Sequence, residues 1–281
     1  MQANILGVPV HYEERGEGRP ILLLHGMPTD HRQMVHAFEP VFEGRAGWRR
    51  IYPDLPGHGL TPRADWIMTE EDKLRVALEL LDTLAPGQRF LVIGASYGGY
   101  LALGAVYRRA ADIDGIALLV TNPLRDDRTV GKHQVFERDD VAVASLADDE
   151  RSVLAMATIH SAAAIEEFRT NIKPAILAAD HDFLERVAPF PFEVSTLPEP
   201  FPRPALILNA RQDGATGYSD MLTLVESFPR GTFAILDRAG HPLPREQPVL
   251  FKALMREWLD RVELEGSEPD QHRGTLAAPN D

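Results

Sequence analysis

The 281-residue sequence predicts an α/β fold, a mainly parallel sheet flanked by helices, and three observations carry that reading. Short unbroken apolar runs, such as residues 21–24 (ILLL) and 90–93 (FLVI), have the pattern of strands buried on both faces. Stretches of helical periodicity alternate with these runs, as parallel βαβ units require. One segment, residues 123–204, interrupts the rhythm with helical patterns and no buried strand, and reads as a helical insertion over the sheet.

Each element has its own justification. Residues 5–14 alternate loosely and run into Gly16-Glu17-Gly18, which reads as a strand pair with a turn. The run 21–24 is a buried strand, and 31–42 has the apolar spacing of a helix. A short strand at 50–53 is stopped by Pro53 and the turn-rich Pro56-Gly57-His58-Gly59. Residues 70–84 set Leu74, Val76, Leu78, Leu80 and Leu81 among charges, an amphipathic helix closed by Pro86-Gly87. Strand 90–93 leads to helix 97–109, whose basic end suits the helix dipole. A strand at 116–120 precedes the insertion, in which 152–164 and 176–187 carry helical patterns. Beyond it come strand 205–208, helix 221–228, strand 233–236 and a last helix at 248–262. The expected division is a core of residues 1–122 and 205–263, a helical cap at 123–204 and a disordered tail at 264–281, polar and without periodicity. The proline- and aromatic-rich 190–202 has three readings: a cap hinge, a pocket wall or an interface.

Composition narrows the function. Hydrophobic residues make up 44% and charged residues 25%, the balance of a globular protein rather than a disordered or fibrous one. No run approaches the roughly 18 apolar residues of a bilayer span. Forty-two acids against 29 bases give a net charge of −13, whose field repels phosphate backbones, so nucleic acid is not an expected partner. With no cysteine, disulfides, thiolate nucleophiles and cysteine metal sites are excluded. The opening MQANILGVPVHYEERGEG lacks the basic and apolar regions of a secretory signal. The expectation is a cytoplasmic protein acting on a small molecule away from membranes, with a homodimer compatible and no cofactor or metal required.

The sharpest local signal is Gly94-Ala95-Ser96-Tyr97-Gly98-Gly99, a G-x-S-x-G element directly between a strand and a helix. Its glycines suit a sharp turn that packs backbone on backbone with no room for Cβ atoms. Ser96 would stand at a helix N-terminus, where N–H groups stabilise negative charge. A serine hydroxyl is a weak nucleophile until a base takes its proton. His241, in Ala239-Gly240-His241-Pro242 after a late strand, suits that base. His133, His160 and His181 fall in the insertion, His272 in the tail and His11 in the opening strand pair. His31 and His36 lie on the first helix, where a solvated histidine is the plainer reading.

Asp213, in the loop after strand 205–208, is the candidate to orient the imidazole. Asp126 or Asp127 is the alternative, and an ordinary Asp-Gly turn is the plain reading of Asp213-Gly214. An oxyanion hole needs two backbone N–H groups aimed at the developing charge. Tyr97 follows the nucleophile and supplies one. In His25-Gly26-Met27-Pro28, Gly26 allows close approach and Met27 supplies the other, since Pro28 has no N–H. His25 itself reads as structural.

The segments LLLHGMP, YPDLPGHG, IGASYGG, LILNARQD and DRAGHPLPREQP, in that order, resemble those of the α/β-hydrolase superfamily over about residues 5–262. The resemblance implies a mainly parallel sheet of about eight strands, a lid or cap where the insertion lies, no metal, and an ester intermediate on Ser96. It also places Asp54, Gly57 and Gly59 in a loop that shapes the fold. Haloalkane dehalogenases and epoxide hydrolases of this superfamily carry an aspartate at the elbow, and this chain has Ser96, so both activities are disfavoured. The H-G-M-P loop departs from the H-G-G-G type of many lipases, which disfavours a large interfacial lipase.

The leading expectation is a serine hydrolase of small carboxylic esters working through an acyl-enzyme on Ser96 with His241 and Asp213. One alternative is a carbon–carbon bond hydrolase of meta-cleavage type, with Arg125, Arg128 or Arg169 holding the substrate carboxylate. A small-peptide aminopeptidase is another. Outside catalysis, the alternative is a ligand receptor on the same fold.

Overall fold

The computed structural model describes residues 1–124 and 127–267. The strands are β1 (Gln2–Ile5), β2 (Val8–Arg15), β3 (Arg19–Leu24), β4 (Trp48–Pro53), β5 (Phe90–Ala95), β6 (Ile113–Leu119), β7 (Glu137–Arg138), β8 (Ile159–His160), β9 (Ala205–Ala210) and β10 (Gly231–Leu236). Helices α1 (His31–Phe42), α2 (Glu70–Leu84) and α3 (Tyr97–Arg109) belong to the first part of the chain. Then follow α4 (Asp140–Ala144), α5 (Asp148–Leu154), α6 (Ala162–Glu167), α7 (Lys173–Ala178) and α8 (His181–Arg186), and finally α9 (Leu243–Glu246) and α10 (Pro248–Ser267).

Eight strands form one sheet in the order β1-β2-β4-β3-β5-β6-β9-β10. β1 and β2 run antiparallel to each other and β2 to β4, and the remaining pairs are parallel. This is the expected mainly parallel, eight-stranded α/β-hydrolase sheet. Its buried strands send alternate residues to opposite faces, which is why unbroken apolar runs serve there. Leu22 and Leu24 of β3 join Phe90 and Val92 of β5 on the face covered by α2 and α3. Ile21, Leu23, Leu91 and Ile93 point to the other face, under Phe38 of α1 and Trp258 of α10. Burying each such side chain contributes about 1.5–3 kcal/mol.

Register decides where the loops emerge. Leu24 lies opposite Gly94, Ala95 opposite Leu119, and Ala210 opposite Leu236. The C-terminal ends of β3, β5, β6, β9 and β10 are therefore brought to one edge of the sheet, where open α/β sheets place their ligands.

Helices α1, α2 and α3 run over the spans that the sequence predicts, and the first two have capped starts. Asp30 caps α1 by accepting the Arg32 N–H, and Thr69 and Asp72 form a reciprocal capping box on α2. Elsewhere the structure corrects the sequence reading. The first hairpin turns at Leu6-Gly7, both at positive φ (51° and 83°), rather than at Gly16–Gly18, and joins β1 to β2. The predicted helix at 152–164 is two helices with a strand between them: α5 ends at Leu154, β8 pairs with β7, and Ser161 caps α6. The helix expected at 176–187 is likewise divided, because the Asp180 side chain accepts the Phe183 N–H and starts α8 afresh. Residues 220–227 form a 3₁₀ helix rather than an α-helix. α10 continues to Ser267, so residues 264–267, assigned to a disordered tail, are helical, and the rest of that tail lies outside the described residues.

The aromatic stretch after α8 packs on α3. Phe190 sits where Gly104 leaves space, 5.2 Å from the Tyr100 ring, and Phe192 stacks on Tyr107 at 3.9 Å. Neither lines the cavity described below. Among the described residues no helix is long and apolar enough to cross a membrane.

Candidate active site

Ser96 occupies the turn between β5 and α3 with φ 52° and ψ −118°. A non-glycine residue there carries about 1–3 kcal/mol of strain and must be held by its surroundings. The Ser96 N–H donates to Leu119 O at 2.8 Å. A Cβ on Gly98 would run into the carbonyl oxygens of Leu24 and His25, and one on Gly94 into that of Gly98. The two glycines thus let the start of α3 close onto the end of β3.

Asp213 and His241 leave the ends of β9 and β10. His241 Nδ1 lies 2.9 Å from Asp213 Oδ2, and the carboxylate is fully buried. Asp213 Oδ1 accepts the N–H groups of Ala215 (2.8 Å) and Thr216 (3.0 Å), and Oδ2 accepts the Thr216 hydroxyl (2.7 Å). With only an acceptor at its Nδ1, the neutral imidazole carries its proton there and keeps the Nε2 lone pair. Burial disfavours the imidazolium, but the charge of Asp213 and its hydrogen bond together outweigh it. The His241 pKa therefore lies above the ordinary histidine value, with Arg128 opposing slightly. For Asp213, burial raises the pKa, but His241 and the Thr216 donors outweigh it and hold the carboxyl below its usual range. Asp127 is exposed, and Asp126 lies outside the described residues.

Ser96 and His241 line one cavity of about 1210 Å³, together with Gly26, Met27 and Tyr97. No hydrogen bond joins Ser96 Oγ to His241 among the described residues; such bonds commonly tighten only with substrate in place. The loop after β3 is held by a set of hydrogen bonds. The Gly26 N–H donates to Gln33 Oε1 at 2.7 Å, while its carbonyl accepts the Thr29 N–H (3.0 Å) and hydroxyl (2.7 Å) and contacts His25 Nδ1 (2.9 Å). His25 Nε2 accepts the Leu55 N–H at 3.0 Å, so both ring nitrogens are occupied. The Met27 N–H has no hydrogen-bond partner among the described residues. The Tyr97 side chain is anchored on α2, its hydroxyl donating to Glu70 and its ring lying 4.7 Å from the Lys73 ammonium.

Sequence reasoning did not find Glu246. Its buried carboxylate on α9 accepts the N–H groups of Gly240 (2.6 Å), Thr158 (2.6 Å) and Ile159 (2.9 Å). The His241 N–H donates to Met156 O at 2.9 Å. The histidine loop is therefore tied to the segment between α5 and β8. Of the three arginines considered for a substrate carboxylate, Arg128 lines the cavity. Arg169 is held by Glu150 (3.0 and 2.9 Å) away from it, and Arg125 lies outside the described residues. His31 is half-buried rather than freely solvated, its Nδ1 held by Asp54, which binds His11 as well.

A parallel sheet whose C-terminal edge carries this serine, histidine and aspartate defines an α/β hydrolase. The chain belongs to the alpha/beta hydrolase family, whose sequence pattern matches residues 21–254. It is similar to haloalkane dehalogenase 2 of Mycobacterium tuberculosis, 33% identical over 113 residues, which are 39% of this chain and 37% of that protein. It is also similar to the pimeloyl-[acyl-carrier protein] methyl ester esterase of Legionella pneumophila, 29% identical over 114 residues, 41% of this chain and 43% of that one. The chain thus matches less than half the length of these curated relatives. The solved structure of an alpha/beta superfamily hydrolase from Oenococcus oeni is 25% identical and superposes with a TM-score of 0.83, covering 94% of this chain and 99% of that one.

Proposed function

We propose that this protein is a serine hydrolase that cleaves small-molecule carboxylic esters through an acyl-enzyme on Ser96. The observation that carries the reading is the buried Asp213–His241 pair, which opens with Ser96 onto one cavity. His241 Nε2 takes the Ser96 proton as Oγ attacks the ester carbonyl, and the N–H groups of Met27 and Tyr97 receive the oxyanion. The tetrahedral intermediate collapses, and His241 returns the proton to the departing alkoxide. Water then repeats the sequence on the acyl group and releases the acid. Apolar wall residues such as Leu154, Phe168 and Ile172 suit a hydrophobic acyl or alcohol group.

Two comparisons bear on the choice of bond. The dehalogenases of this superfamily use an elbow aspartate, and Ser96 stands there instead. The Legionella relative is named for a methyl ester, in keeping with acyl transfer. A second reading, cleavage of a carbon–carbon bond in a dienoate, draws on Arg128 at the cavity wall, a cation for the substrate carboxylate. Initial rates on p-nitrophenyl esters of graded acyl length and on a coloured dienoate, for the wild type and Ser96→Ala, test both. Saturable ester turnover that disappears in Ser96→Ala supports the proposal. Dienoate turnover without ester turnover selects the second reading, and ester turnover surviving in Ser96→Ala overturns both.

A further inference from the structure

The cavity wall beside Ser96 carries a side-chain amide that acyl transfer leaves unused. Gln33 lies in the first turn of α1, where Asp30 O accepts its N–H at 3.1 Å, and its half-buried side chain reaches back over the loop after β3. The Gly26 N–H can only donate, and it meets this amide at 2.7 Å, so the atom facing it is the carbonyl oxygen Oε1. The Thr29 hydroxyl stands 2.8 Å from the same oxygen. The oxygen end is thus taken up by the loop, and the amide is fixed against a flip. Nε2, with two N–H donors, is the other end, and no acceptor among the described residues bonds it.

Those donors stand close to the nucleophile. A Cβ built on Gly26 would lie 3.4 Å from Gln33 Nε2, 3.3 Å from its Oε1 and 3.3 Å from Ser96 Cβ at once. The amide and the serine side chain therefore flank one gap of about an atom's width, which Gly26 leaves open. Gly26, Gln33 and Ser96 all line the cavity.

The sheet order decides which part of an ester comes to this side. β3 lies to one side of β5, and β6, β9 and β10 lie to the other. The leaving oxygen faces His241, which returns its proton and follows β10. The carbonyl oxygen faces Met27, in the β3 loop that Gln33 holds. An oxygen on the carbon next to the carbonyl, turned to the same edge as the carbonyl oxygen, comes to the Gln33 side as well. A methylene in that place covers the Nε2 donors and leaves them unpaired, whereas an acceptor oxygen pairs with them.

We propose that Gln33 selects the acyl group by donating from Nε2 to an acceptor oxygen on the carbon next to the scissile carbonyl. The preferred substrates are then esters of 2-alkoxy, 2-hydroxy or 2-oxo acids rather than plain alkanoates. The proposal rests on acyl transfer at Ser96 and adds the substrate class.

Two esters of equal size test it, because 4-nitrophenyl methoxyacetate carries an ether oxygen where 4-nitrophenyl butanoate carries a methylene. Dividing kcat/KM for each ester by its rate with hydroxide removes the inductive activation of the ether. On that scale the wild type should favour methoxyacetate by about tenfold. Gln33→Leu, which loses the donors, should bring the ratio near one. So should Gln33→Glu at about pH 8, where an ionised carboxylate keeps an acceptor for the Gly26 N–H but has no donor. Each ratio is internal to one variant, so a loosened loop does not imitate the effect. A wild-type ratio near one, or a preference kept in both variants, would overturn the proposal. So would an equal fall on both esters in Gln33→Leu, which would make the amide a third oxyanion donor. If Gln33→Leu does not fold, Gln33→Glu decides alone. Turnover of neither ester by folded wild type would instead count against the reading of Ser96. Competition between ethyl methoxyacetate and ethyl butanoate, followed by ligand-observed NMR, then decides on the amide. Tighter methoxyacetate binding in the wild type but not in Gln33→Leu supports it, and equal binding overturns it.

Discussion

Two buried aspartates in this molecule are built alike. Asp213 accepts two backbone N–H groups, a threonine hydroxyl and one imidazole, and Asp54 accepts two backbone N–H groups and two imidazoles. Each is saturated with four donors, and each fixes the tautomer of a histidine. The difference lies at the other ring nitrogen. His241 lines a cavity with a serine held at positive φ and the unpartnered Met27 N–H. His11 and His31 are partly exposed and lie outside that cavity. A carboxylate–imidazole pair is thus a way of aiming a lone pair, and its surroundings decide the use.

The largest effect expected on that contrast comes from removing the nucleophile. Ser96→Ala should lower kcat for a good ester by on the order of 10⁶ if the three groups act as a unit, with little change in the urea midpoint. Next come the two aspartates. Asp213→Asn should cost roughly 10⁴ in kcat through the wrong tautomer. Asp54→Ala should instead cost about 3–5 kcal/mol of stability by denaturant titration, with turnover per folded molecule nearly unchanged. Equal losses of activity in both variants would break the contrast.

A smaller effect belongs to the tie between the histidine loop and the insertion. Glu246→Ala leaves the Gly240, Thr158 and Ile159 N–H groups without their acceptor, at a cost of about 1–3 kcal/mol for each that stays buried. Turnover should fall with it as His241 loses its fixed position, whereas Glu246→Gln, which keeps an acceptor, should recover part of both.

The smallest effect is on pH. Because His241 has a raised pKa and must be neutral to act as base, kcat/KM should fall with decreasing pH through a value above the ordinary 6.5. In Asp213→Asn the residual activity should titrate lower, since burial persists while the attraction is gone. The stabilisation that accompanies the raised pKa is fully present below the unfolded value and is lost as pH rises through the folded one.

What was legible in the sequence follows from which interactions are local. The elbow is a contiguous motif between strand and helix, and its glycines answer to contacts within one turn. Helices α1 and α2 are legible through their apolar periodicity and α3 through the elbow before it, while the caps at Asp30 and Thr69-x-x-Asp72 emerge from the structure. His241 and Asp213 were reached through chain order, since each follows a core strand. The insertion was harder, because alanine-rich helical periodicity runs on across Ser161 and Asp180, where side-chain caps restart the helix. Glu246 acts on amides up to 88 residues away, and no local pattern marks it. His11, His31 and Asp54 come together only when β2 pairs with β4, so their spacing carries no signal.

The central claim is that Ser96 is an activated nucleophile, and covalent capture tests it most directly. Intact-mass analysis after exposure to a fluorophosphonate probe should show a single adduct on the wild type, none on Ser96→Ala, and strongly slowed labelling of His241→Ala. A folded wild type that takes up no probe, or an adduct that persists in Ser96→Ala, would contradict the account.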